Sequence, residues 1–163
     1  MMQGGHHIAH LNIARLRALP GDALVAEFVN AVPKVNALAE RSRGFVWRWQ
    51  DGATRVADDV PFEAVLPDPL LAVSLSVWER VEDLSHFVHQ TLHGGFLRRK
   101  DQWFEPADGP AYVIWLIDTG QIPTVAQGQE RMAHLALNGA TDHAFTFAYH
   151  RKSAEKRDRY EQP

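Results

Sequence analysis

The chain reads as an α+β domain with a ferredoxin-like, split βαβ arrangement: an antiparallel sheet with helices packed on one face. Two observations predict this. Apolar residues switch between a period of two and a period near 3.6 in the order β-α-β, loop, β-α-β. A stretch rich in Pro and Asp at 51–69 divides the two halves without carrying a strong period of its own.

The elements follow in order. Residues 8–16 (IAHLNIARL) alternate, with Ile8, His10, Asn12 and Ala14 on one face and Ala9, Leu11 and Ile13 on the other. Pro20-Gly21 marks a turn and Asp22 is placed to cap a helix whose stripe is Leu24, Phe28, Val32, Val35 and Leu38. Pro33 predicts a kink or break in it. Residues 45–50 (FVWRWQ) form a strand with Phe45, Trp47 and Trp49 on one face. A third strand covers 70–78, and a helix from about residue 79 buries Val81, Leu84, Val88 and Leu92 until Gly94-Gly95 interrupts it. Residues 96–104 are helical again. Residues 111–118 (AYVIWLID) are nearly continuously apolar, which predicts a strand covered on both faces. Thr124 and Gln127 have the spacing of a capping box for a last helix, with Asn138-Gly139 as its stop. Residues 144–149 are an optional edge strand. The expected domain is 1–150, and 151–163 is read as a charged, mobile tail.

Composition bounds the function. A chain of 163 residues, 45% hydrophobic and 23% charged, has the makeup of one ordinary globular domain. A net charge of −3 gives no electrostatic footprint for nucleic acid. The absence of cysteine excludes disulfides, thiolate metal sites and thiol nucleophiles. No signal-peptide pattern and no membrane-length apolar run is seen, so the expectation is a cytoplasmic protein. No Walker A, G-x-G-x-x-G, G-x-S-x-G or H-E-x-x-H motif occurs.

Chemistry is concentrated in 85–104 (SHFVHQTLHGGFLRRKDQWF). His86, His89 and His93 recur at i, i+3 and i+7, on one side of a helix but spread over about 10 Å of rise. That is too long for one metal ion, so no metal is assigned. His93 stands before Gly94-Gly95, where the backbone can bend, and is the candidate general base or relay; Asn12 is the candidate orienting group. Substrate-binding candidates are His10, His89 and the tryptophans Trp47, Trp49, Trp78 and Trp103. The predicted ligand is a small hydrophobic or aromatic molecule between sheet and helices. The reaction expected of an enzyme is its oxidation or isomerisation without a cofactor. Haem held by a histidine, and a non-catalytic interaction or sensor protein, are the alternatives. A sheet with one open apolar face predicts a homodimer.

Three segments, 11–18 (LNIARLRA), 74–104 and 122–147 (IPTVAQGQERMAHLALNGATDHAFTF), together with 35–50, resemble the bacterial family called domain of unknown function 3291. That family belongs to the dimeric α/β-barrel superfamily. The resemblance implies a ferredoxin-like fold and a dimer. The wider superfamily includes cofactor-independent monooxygenases of aromatic substrates and haem-degrading enzymes. Within the pattern His93 fits and His89 departs, standing where an aromatic residue is expected.

Overall fold

The computed structural model describes residues 4–50, 68–91 and 97–161. Four strands, β1 (His6–Arg15), β2 (Phe45–Arg48), β3 (Leu71–Trp78) and β4 (Tyr112–Asp118), form one sheet in the order β2-β3-β1-β4. All three pairings are antiparallel. This is the split βαβ order, with the longest strand, β1, in an interior position. Its register sets Ile8 opposite Trp78, His10 opposite Ser76 and Asn12 opposite Ser74, while β4 sets Ile114 beside His10 and Tyr112 beside Asn12. Directly opposed residues share a sheet face.

One face carries Ile8, His10, Asn12 and Ala14 and is covered by the two crossover helices. Helix α1 (Ala26–Glu40) is entered through a 3₁₀ turn at Ala23–Val25, where Asp22 accepts a hydrogen bond from the Leu24 N–H at 2.8 Å. Pro33 does not break it. The residue is exposed, so the carbonyl left without a partner one turn earlier lies toward water. Helix α2 (Val81–His86) continues into a π turn at Phe87–Thr91, and a short helix α3 (Lys100–Trp103) follows a 3₁₀ turn at Leu97–Arg99.

The opposite face is not left bare. Helix α4 (Val125–Asn138) packs there, against Leu11, Leu75, Val113 and Trp115. The predicted capping box starts it: Thr124 N–H donates to Gln127 Oε1 at 2.9 Å and Gln127 N–H donates to Thr124 Oγ1 at 3.1 Å. Gly128 lets it come close, since a Cβ there would lie 2.6 Å from Leu11 Cδ2. The expectation of helices on one face therefore holds for the crossovers, and α4 is an addition to it. Ile13, Trp47, Trp49, Leu71 and Val73 stay half-buried beside α4.

Two local features differ from the sequence reading. A bulge between Phe45 and Trp47 changes the parity of β2. Phe45 consequently meets Trp78 edge to face at 5.5 Å on the α1 side, while Trp47 and Trp49 join the α4 side. Residues 144–149 supply two isolated bridges, Ala144 to Thr141 and Phe145 to Ile114, and the chain then turns into helix α5 (Phe147–Tyr160), capped by Thr146. That helix buries none of its residues fully, which is why its charged sequence lacks an apolar stripe.

Candidate functional site

On the α1 side of the sheet the apolar core is interrupted. One cluster gathers Ile8, Trp78, Leu84, Phe87 and Ile114 under the end of α1 and α2. A second gathers Leu16, Val25 and Trp103, with Phe28 and Ala72, at the far end of β1. Between them runs a polar row: His10 opposite Ser76, then Asn12 opposite Ser74, with Tyr112 alongside. His10 and Ser76 are buried, Asn12 and Tyr112 half-buried, and Ser74 exposed, so the row opens to solvent as it leaves the first cluster.

His10 is the central group. It is only 8% exposed, and it makes no hydrogen bond among the described residues. Its ring lies 5.7 Å from that of Tyr112, tilted by 54°. Burial away from water penalises the charged imidazolium, and the pKa falls from 6.5 to about 4. At neutral pH His10 is therefore an uncharged imidazole with one donor and one acceptor nitrogen. Ser76 accepts a hydrogen bond from Trp78 Nε1 at 3.0 Å, and no acceptor for its own O–H is found among the described residues.

The aromatic surroundings continue outward. Tyr112 packs on Phe147 at 5.2 Å, and its hydroxyl accepts the Phe147 N–H at 3.2 Å. His89 stands edge-on to Phe147 at 4.9 Å. The π turn presents His89 here, with its Nδ1 3.0 Å from the Ser85 carbonyl and 3.1 Å from Ser85 Oγ. An inserted residue of this kind alters the helical phase, so His86 and His89 do not continue one α-helical stripe. His86 instead lines a separate surface cleft of about 350 Å³ with Ser42, Arg43, Glu82 and Asp83. His150, 2.9 Å from Glu82, holds that carboxyl below the usual range by hydrogen bonding.

Of the residues expected at a site, the fold brings His10, Asn12, Trp78 and His89 to one region. Trp78 is buried and reaches the row through Ser76, and His89 sits at its aromatic edge. Trp103 lies on the same face but in the second cluster, 5.8 Å from Phe28. Trp47 and Trp49 lie on the α4 side, across the sheet from His10. His93 lies outside the described residues. Sequence reasoning missed Ser74, Ser76, Tyr112 and Phe147. Two serines on one face of an otherwise apolar strand were a readable signal; Tyr112 and Phe147 join only through tertiary contact. Among the described residues no group of three or more His, Asp or Glu is arranged to hold a metal ion, and no helix is long and apolar enough to cross a membrane.

Solved structures with a similar path include SnoaB, a cofactor-independent oxygenase from Streptomyces nogalater. It is 17% identical, with a TM-score of 0.42, over 72% of this chain and 97% of that one. A Nitrosomonas europaea protein described as an antibiotic biosynthesis monooxygenase is also 17% identical, with a TM-score of 0.42, over 76% and 98% of the two chains. Likeness at that level says nothing of chemistry. No curated protein sequence matches. The profile of one family spans residues 7–161, nearly the whole chain. The protein belongs to the family described as Domain of unknown function (DUF3291).

Proposed function

We propose that the protein binds a small hydrophobic or aromatic molecule in the polar row between the two apolar clusters, with monooxygenase-like oxidation or isomerisation as the reaction. One observation carries this reading: His10 is buried, uncharged and without a hydrogen-bond partner among the described residues, in a polar row that becomes exposed at Ser74. With no protein partner among the described residues, the ring nitrogens of His10 remain available to hydrogen-bond a ligand. The apolar clusters on either side supply walls, and Asn12 and Tyr112 supply orienting groups.

In the enzymatic form Asn12 orients the substrate and a histidine moves a proton. With a pKa of about 4, His10 suits accepting a hydrogen bond better than holding a proton. The relay is accordingly assigned to His93. Isomerisation returns the abstracted proton to a second carbon. Oxidation passes the electrons of the substrate carbanion to O₂; one oxygen atom enters the product as a carbonyl and the other leaves as water. The protein is further proposed to be cytoplasmic and to pair as a homodimer through the half-buried Ile13, Trp47, Trp49, Leu71 and Val73.

Calorimetric titration with uncharged one- to three-ring aromatics tests the pocket. Saturable binding that disappears in a folded His10→Phe variant is expected; binding indifferent to that substitution would refute it. Where a substrate turns over, His93→Ala should slow turnover by ~10²-fold or more.

A further inference from the structure

His10 and Ser76 are the two buried polar side chains among the described residues, and they are cross-strand partners. Side chains so paired stand about 5 Å apart at Cβ. Each has hydrogen-bonding capacity that the described residues leave unused. Trp78 Nε1 already fills one lone pair of Ser76 Oγ, which leaves the serine O–H to donate. His10 offers either an acceptor or a donor nitrogen according to its tautomer. One oxygen placed between them and bearing a hydrogen satisfies both: it accepts from Ser76 and donates to His10.

The charge around the pair narrows the ligand further. The residues of the row, His10, Ser76, Asn12, Ser74 and Tyr112, include no fixed charge. Among the described residues, Arg48 is set opposite Ser76 on β2, and its Nε already lies 2.7 Å from Glu40 Oε1. A carboxylate bound at the row would meet no charge among the row residues themselves, and Arg48 is already engaged by Glu40. The half-buried Tyr112 ring, 5.7 Å from that of His10, favours a planar body.

Building on the pocket proposed above, we infer that His10, in the tautomer that turns its unprotonated nitrogen toward Ser76, and Ser76 together recognise a single uncharged hydroxyl group on an aromatic ligand. The ligand class is then phenol-like, and its ether and carboxylate analogues are discriminated against. Ser76 is a binding residue in this scheme, and Trp78 is a positioning residue that fixes the serine rotor.

The test compares 1-naphthol, 1-methoxynaphthalene and 1-naphthoate by calorimetry at pH 7 on the wild-type protein, Ser76→Ala and His10→Phe. The two substitutions are independent, so one variant that misfolds leaves the other to decide. Naphthol should bind about tenfold more tightly than the methyl ether, which accepts but cannot donate, and naphthoate more weakly still. Either substitution should bring naphthol and the ether to within about twofold. Equal binding of all three probes overturns the hydroxyl assignment and leaves the pocket standing. A naphthol preference that survives both substitutions overturns the role of the pair. Failure of every probe to bind overturns this inference together with the pocket.

Discussion

Replacing His10 by phenylalanine should flatten the acid limb of the protein's stability curve. The folded-state pKa of His10 is about 4 because burial disfavours its charged form, against an ordinary value of 6.5. In the unfolded chain the ring regains water and the higher value. The unfolded state therefore binds the proton more tightly, and acid drains stability from the fold. The contribution is fully present above pH 6.5 and is lost progressively as pH falls toward 4. At 1.36 kcal/mol for each pKa step, the loss reaches ~3 kcal/mol at pH 4. Because a domain's whole stability is about 5–15 kcal/mol, that is a large share. Glu82 and Glu130 also have lowered pKa values, through hydrogen bonds to His150 and His143, and they act in the same direction at lower pH. They persist in the variant, so the difference between the two proteins isolates His10. Urea unfolding followed by tryptophan fluorescence at pH 7, 5.5 and 4 gives the two curves. The wild type should lose ~3 kcal/mol more than His10→Phe across that range. The NMR titration of the His10 ring should have its midpoint near 4. Parallel urea curves, or a midpoint near 6.5, would refute the claim that this ring is buried and uncharged.

Two further predictions concern glycines that permit close approach. Gly128→Ala should destabilise by about 1–3 kcal/mol, even though alanine gains about 1 kcal/mol of helix propensity, because the new methyl group would sit 2.6 Å from Leu11 Cδ2. An unchanged or raised melting temperature would show that α4 can withdraw from the sheet freely. Gly44 has φ +79°, and a Cβ there would lie 2.1 Å from Asp83 Oδ2, so Gly44→Ala should lower stability by about 2 kcal/mol or more. In a chain of this length that is a melting point lower by about 4–8 °C. A shift under 1 °C by calorimetry would contradict it.

Features that depend on local periodicity and capping are legible in the order of residues alone. Alternation placed His10 and Asn12 on one face of β1, and the register of β1 with β3 and β4 keeps them there. The Thr124–Gln127 spacing located the start of α4 because both partners of a capping box lie within one turn of chain. The order of elements was enough for the sheet topology, and the quoted segments were enough for the family.

Tertiary structure decided which residues meet. A single bulge separated Phe45 from Trp47 and Trp49, since one extra residue reverses every side chain that follows it in a strand. The π turn did the same for the histidines by changing helical phase. Helix α5 brings Phe147 to Tyr112 and His89 from a distant part of the chain, and no local period encodes that. The weight given to His10 was likewise hidden in the sequence. A histidine's charge near neutral pH depends on how much water surrounds it, and only the packing of helices over the sheet fixes that.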